Sequence, residues 1–419
     1  MTTATAAPRK PLMPLDDALV QLLAAAEPLA GAESLATFDA DGRVLAENVV
    51  SSLQVPAFDN SAMDGYAVHA ADVLLGQVEL EVRQRIAAGT AGAVLLPGTA
   101  ARIFTGAPLP SGADAVVMQE DCTRLNDERH AGPETIRIHS VPLPGQHVRH
   151  AGEDVQRGDT VLAAGTRLGP AELGLAAGVG RAELRVARKP RVALFSTGDE
   201  LIMPGTVAPQ DMPPGAIYNS NRFFLQNLLR RMGCEVADLG IVPDNRAATI
   251  AALQAAAADN DVILTSGGVS VGEEDHIKPA VQQLGTLDLW QIGMKPGKPF
   301  AHGRLGAAHF IGLPGNPVSS FVTFLLLVRP FLLRLQGVQD VAMKPIAVRA
   351  DFDWPQADKR REFLRVRRNA NGGLDLFGNQ SSAVLTSAVW GDGLVDVAPG
   401  EPIVYGQTVR YLPFSELLA

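Results

Sequence analysis

Ile263-Leu264-Thr265-Ser266-Gly267-Gly268-Val269-Ser270-Val271-Gly272-Glu273-Glu274-Asp275 is where the chain passes from one regular element to the next. Residues 261–264 read as a buried strand, and 275–284 read as a helix. The glycines between them leave backbone N–H groups free to face an anion. The carboxylates that follow suit a metal accompanying a phosphate. The same residues also fit a tight turn with a solvated acidic helix start, so this motif alone does not decide the chemistry.

Outward from this stretch the alternation continues. Strands are expected over 192–196, 236–242, 262–265 and 309–313, with another near Trp290. Helices are expected over 221–232, 246–258, 275–284 and 318–335, the first capped by Asn219 or Ser220 and ended by Gly233. Such alternation predicts a doubly wound parallel-sheet α/β domain over 188–337, beginning at the Arg188-Lys189-Pro190 boundary. Toward the N-terminus, residues 1–10 read as a disordered tail and 15–26 as an amphipathic helix. Short alternating runs over 51–149, broken by Gly and Pro, read as a β-rich unit. Residues 150–187 return to Gly-rich turns with a small helix. The pattern over 338–419 is again β and predicts a small barrel or sandwich.

The bulk properties exclude several classes. At 419 residues the chain is too long for one core. Its 47% hydrophobic and 19% charged content is that of a globular protein. A net charge of −9 argues against general nucleic-acid binding, which needs a basic face. Cys122 and Cys234 have no metal-ligand spacing and form no framework, so a reducing compartment is expected. No signal peptide is apparent, and the longest apolar run, 321–328, is too short to cross a bilayer. A soluble, cytoplasmic protein without membrane or nucleic-acid partners is expected.

The chemistry-bearing residues of the α/β domain all follow strands. Thr197-Gly198-Asp199-Glu200 follows the first and Asp244 the second. The 266–275 loop, with Ser266, Gly267, Gly268 and Ser270, follows the third. Pro314-Gly315-Asn316-Pro317 follows the strand at 309–313. Open parallel sheets bind ligands at this edge, so four such loops together outweigh any one of them. Glu200, Asp244 and Asp275 are candidate Mg²⁺ ligands, direct or through water. Lys295-Pro296-Gly297-Lys298-Pro299 holds Lys295 and Lys298 on a stiff turn that suits an oxyanion or a solvated surface equally well. The histidines lack metal spacing and read as structural, and the tryptophans read as core.

These motifs, together with Asp59-Asn60-Ser61-Ala62-Met63-Asp64-Gly65-Tyr66, Thr105-Gly106-Ala107-Pro108 and Gly152-Glu153-Asp154, occur in the order of one family. Over about 11 to 419 the chain resembles the molybdopterin molybdenumtransferases, the MoeA and gephyrin E-domain family. The resemblance implies an elongated discontinuous domain (11–50 and 150–187), a β-rich inserted domain (51–149), a molybdopterin-binding α/β domain (188–337) and a C-terminal β-barrel (338–419). It implies insertion of molybdate into adenylylated molybdopterin with release of AMP, dependent on Mg²⁺. It also implies a homodimer with a shared active site, and allows transient contact with a molybdopterin adenylyltransferase and with molybdoenzyme acceptors. By motif matching, Asp59, Thr105, Asp154, Glu200, Asp244, Asp275 and Lys295 fall on functional positions of the family, with Asp59 reaching the site from the partner subunit. Arg361, among Arg360, Arg361 and Arg365, and Ser381 are carried over as substrate-binding residues of the last domain. Two departures stand out: Gln291 where some relatives have lysine, and Gln380-Ser381-Ser382 where a Gly-Ser pair is common. Two other readings compete. A molybdopterin adenylyltransferase would need only the α/β domain, and a non-catalytic scaffold of the gephyrin type would need no intact strand-end acids.

Overall fold

The structure, a computed structural model, describes residues 12–418 apart from Gly76, 127–132 and 269–275. The α/β unit carries the sheet on which everything else is arranged. Its strands, numbered within this unit, are β1 (Arg191–Thr197), β2 (Glu235–Val242), β3 (Val262–Ser266), β4 (Thr286–Gln291), β5 (Pro299–Leu305) and β6 (Ala308–Leu313). They lie in the order β2-β1-β3-β6-β5-β4. The first four are parallel, whereas β5 pairs antiparallel with both β6 and β4. The expected doubly wound parallel sheet is present, and it carries an antiparallel extension at one edge. There, β5-β6 is a hairpin turning at Gly306, whose φ of +59° is easily taken by glycine.

Every residue of β3 and β6 is buried, because both faces of the sheet are covered. On one face, Leu194, Leu264 and Ile311 pack with Leu225, Leu228 and Leu229 of the helix Ser220–Arg231. The helical segment from Pro317 to Leu335 and the N-terminal helix Leu15–Ala24 share that core. On the other face, Phe195, Ile263 and Phe310 pack against the helices Arg246–Asp259 and Ile277–Leu284. By length and composition Pro317–Leu335 could cross a membrane, but 83% of its apolar window is buried inside the protein. It is the central core helix, longer than the uninterrupted apolar run 321–328 suggested. Its middle, Phe324–Val328, widens into a π-turn ahead of Pro330, which has no N–H to continue the ordinary ladder.

The remaining units are mostly β, with a short helix, Pro170–Gly178, in the arm. A six-stranded sheet is built from strands between Gly65 and Ile138. The chain on either side of it pairs antiparallel, Ala32–Ala36 with Glu183–Ala187, so this arm is made from two separated segments. At the C-terminus Arg361–Arg368, Gly373–Leu376, Ile346–Ala350, Thr408–Pro413 and Gly393–Val397 follow one another and close back on the first strand. They form a five-strand barrel. Met294–Lys295 adds to it by pairing with Arg361–Glu362, tying barrel to α/β unit.

His302 and His309 face each other across β5 and β6, with Nε2 of His302 3.2 Å from Nδ1 of His309. They sit among Trp290 and Phe331 and are 7% and 3% exposed. One ring donates and the other accepts, so the pair is stable only when not fully protonated. Burial, helped by the charge of Arg304, pushes His302 down to about 4 and His309 to about 3. The unfolded chain takes up these protons near 6.5, and the folded chain does not. Their contribution to stability is therefore full above about pH 6.5 and is lost as pH falls toward 4. Imidazole NMR is expected to show both rings neutral at pH 5, with the urea midpoint falling between pH 7 and 4.5. A titration of either ring centred near 6.5 would contradict this pairing.

Candidate functional site

The carboxyl ends of β2, β1, β3 and β6 are neighbours, so the four loops singled out by sequence emerge side by side. Local backbone demands explain their glycines. Gly198 has φ +143°, and any Cβ there would run into the Glu200 carboxylate. Gly268 has φ +68°, and a Cβ would collide with the Ile277 side chain. The loops enclose a cleft of about 640 Å³.

Of the sequence candidates, Glu200, Ser266, Gly267, Pro314, Gly315, Asn316 and Pro317 line this cleft. Gly268 is one residue beyond it. Asp244 is half-buried at the end of β2, on the same sheet edge but not in the cleft wall. Ser270 and Asp275 lie outside the described residues. Among the described residues no three His, Cys, Asp or Glu side chains converge as a metal cluster. Glu200 is exposed, and its carboxylate makes no hydrogen bond among the described residues.

The lysine turn is placed differently from its expected use. Lys295 Nζ is 2.9 Å from Glu362 and 3.5 Å from Asp358, both from the barrel unit. Glu362 is itself buried and accepts a hydrogen bond from Trp354 Nε1 at 3.0 Å. The charge of Lys295 is thus already met by carboxylates, because the Met294–Lys295 strand pairs with Arg361–Glu362. Lys298 is exposed beside Pro299, which lines the cleft. The turn is stiffened at Gly297, where a Cβ would strike Thr323 of the core helix.

Arg361 is not brought to the cleft. It forms a bidentate pair with Asp396 at 2.6 and 2.7 Å and bonds Asp16 at 2.8 Å. It lines a separate groove that includes Pro14 and Pro399. Arg365, four residues along the same strand, is 1% exposed and is not in the cleft wall either. Burial lowers its pKa to about 10. It donates to the Ser381 carbonyl at 3.3 Å and to Ser387 Oγ at 3.1 Å. Two residues on from Ser381, Ala383 forms the barrel's side of the cleft, and Val318 N–H of the core helix donates to the Ser382 carbonyl. Arg360 instead pairs with Asp358.

Asp59, Thr105 and Asp154 form a second group whose polar partners all lie within 55–154. Asp59 accepts from Ala151 N–H at 2.8 Å and lies 3.5 Å from His150. Thr105 donates through both its N–H and its hydroxyl to Asp64. These bonds hold the Asp64 carboxyl below its ordinary pKa. Asp154 is exposed, its N–H bonded to the Val55 carbonyl. Within one chain, then, one set of candidates is on the sheet edge, a second lies between residues 59 and 154, and Lys295, Arg361 and Ser381 belong to the barrel contacts.

The structure adds cleft residues that sequence reading passed over, among them Ser196, Asn219 and Asn221. Asn219 does cap its helix, accepting from Arg222 N–H at 3.2 Å. A signal for Asn221 was present in the sequence. It precedes Leu225, Leu228 and Leu229 by four, seven and eight residues, so a polar side chain sits on the apolar stripe.

Comparison with known proteins follows this arrangement. Residues 13–180 match the MoeA N-terminal region (domain I and II). Residues 193–334 match a probable molybdopterin binding domain, and 347–414 match the MoeA C-terminal region (domain IV). A molybdopterin molybdenumtransferase of Haemophilus influenzae is 41% identical over 387 residues, covering 91% of this chain and 93% of its own length. One from Nostoc is 40% identical over 77% of this chain and 74% of its own. The crystal structure of a molybdopterin biosynthesis MoeA protein from Pyrococcus horikoshii superposes with a TM-score of 0.82 at 28% identity, covering 96% of this chain and all of that one.

Proposed function

The chain belongs to the molybdopterin molybdenumtransferase (MoeA) family, and on that premise we propose that it inserts molybdate into adenylylated molybdopterin at the sheet-edge cleft, releasing AMP. It is an enzyme of molybdenum cofactor biosynthesis. The observation that carries the site assignment is the mixture of donors in the cleft. Glycine-bearing turns at Gly267 and Gly315 and serine hydroxyls suit phosphate oxygens. No lysine or arginine is among the described residues of its wall. A lone carboxylate, Glu200, would repel a polyanion unless a cation stood between them.

That donor set fits a hard divalent cation such as Mg²⁺, which takes few protein carboxylates and shares phosphate oxygens. Glu200 would hold it, with Asp244 and Asp275 supplying further oxygens from the adjacent loops. Bound there, the cation would offset the negative charge of the phosphoanhydride and polarise it. The chain's own task is positioning and charge compensation rather than nucleophilic attack. The sheet-edge backbone grips the phosphates, and the Ser381–Ala383 segment closes the cleft from the barrel. Lys298 provides a cation beside the Pro299 wall.

The active species in this reading is a homodimer. Asp59, Thr105 and Asp154 complete the cleft of the second subunit. The loop that bears Asp59 also exposes Phe58 (49%) and Met63 (40%), apolar surface that a second copy would cover. The free cysteines are in keeping with a reducing cytoplasm. The adenylyltransferase alternative leaves the barrel and the Asp59 group without a role. The two readings are separated by what drives nucleotide release. Molybdate is expected to trigger AMP release from adenylylated molybdopterin in a Mg²⁺-dependent manner. Turnover that instead required ATP and produced pyrophosphate would overturn the proposal.

A further inference from the structure

Three polar groups at the floor of the cleft have hydrogens with nowhere to go. Ser196 is 1% exposed, and its hydroxyl has no hydrogen-bond partner among the described residues. Asn219 is 2% exposed; its Oδ1 accepts from Arg222 N–H, which fixes the amide and leaves Nδ2 buried and unpartnered. Ser266 is the register partner of Ser196 on the adjacent strand, so their side chains share a face. Its hydroxyl is controlled by Asn221, whose Nδ2 lies 2.7 Å from both Ser266 Oγ and the Gly315 carbonyl. A carbonyl oxygen can only accept, so the nitrogen must face it. Ser266 Oγ must therefore accept the second hydrogen of the same nitrogen. Its own hydrogen then finds no acceptor among the described residues.

A buried donor without an acceptor destabilises the fold, so three lining one cleft point to one common acceptor. We propose that Ser196, Ser266 and Asn219 form a neutral-donor subsite for one deprotonated oxygen of a tetrahedral oxyanion, with Asn221 as the positioning residue that turns Ser266 into a donor. The subsite contains no cation. It recognises oxygen lone pairs, and its contribution to affinity is insensitive to salt. Phosphate and molybdate share this chemistry. The inference rests on the sheet-edge reading of the active site, and it adds Ser196, Asn219 and Asn221, to which that reading gave no role.

The test is calorimetric titration of the full-length protein with AMP, inorganic phosphate and molybdate in turn. Ser196→Ala is expected to weaken the bound oxyanion by about tenfold, the scale of one hydrogen bond to a charged group. It is also expected to keep or raise the ligand-free melting temperature, since an orphaned hydroxyl is removed; a merely structural serine would lower it. Ser196→Thr retains a hydroxyl and should restore affinity. Asn221→Asp reverses the polarity at Ser266 and should weaken binding by more than tenfold. In a Ser266→Ala background, Asn221→Ala should lose most of its effect. Weakening of AMP and phosphate alone assigns the subsite to phosphate, and weakening of molybdate alone assigns it to molybdate. Unchanged affinity for all three in Ser196→Ala and Asn221→Asp, with wild type binding normally, overturns the subsite. A wild-type protein that binds none of the three overturns the sheet-edge reading itself.

Discussion

Glu200→Gln is expected to reduce molybdate-triggered AMP release by about 10²-fold or more, the scale seen when one preorganised charge-stabilising group is removed. The melting temperature should stay near that of wild type. Glu200 is exposed, makes no side-chain hydrogen bond among the described residues and sits in a loop rather than a core, so a large destabilisation is not expected. The amide keeps the shape of the side chain and removes its charge, leaving a poor ligand for a hard cation. The deficit should lessen as Mg²⁺ is raised, because the other oxygens of the site remain. An active Gln variant with unchanged Mg²⁺ dependence would show that the carboxylate does not hold the cation.

The second large effect concerns the division of the site between subunits. Asp59→Ala and Glu200→Ala are each expected to be inactive as pure proteins. If Asp59 of one chain completes a cleft whose Glu200 belongs to the other, a heterodimer has one site with both lesions and one with neither. After unfolding and co-refolding, random pairing makes about half of the dimers heterodimers. Half the sites in those dimers are whole, so activity should return to roughly a quarter of wild type. Heterodimers that form and remain inactive would place both residues in the same subunit's site, or Asp59 outside it. The hydrogen bonds of Asp59 to Ala151 and of Thr105 to Asp64 are the reason for mixing two chains. They fix these residues firmly on the β-rich unit, with no bond to the sheet edge.

Much of this arrangement was legible in the sequence. Apolar runs ending in glycine, serine and acid marked β1, β3 and β6, and the chain's alternation put their ends on one edge. The Asn219 cap and the helices over 220–231 and 246–259 followed from local rules of capping and periodicity. What escaped was decided by tertiary partners. The strand Pro299–Leu305 carries histidine, glycine and arginine in place of a strong strand pattern, and the hairpin with β6 stabilises it. Gly393–Val397 shows no alternation because closing the barrel buries all five residues. Arg361 and Arg365 have the same parity on one strand, so periodicity cannot separate them. The difference is that Asp396 lies on the neighbouring strand within reach of Arg361, whereas Arg365 is enclosed near Ser387 and the carbonyl of Ser381. Lys295 could not be read as neutralised, because Glu362 and Asp358 are more than sixty residues away in the chain.

The central claim is that the nucleotide half of the substrate binds at the carboxyl edge of the β2-β1-β3-β6 sheet. A crystal structure of the protein with AMP tests it most directly. The phosphate is expected in the cleft bounded by Ser196, Glu200, Gly267 and Gly315. AMP bound instead in the groove of Asp16, Arg361 and Asp396, or elsewhere, would contradict the account.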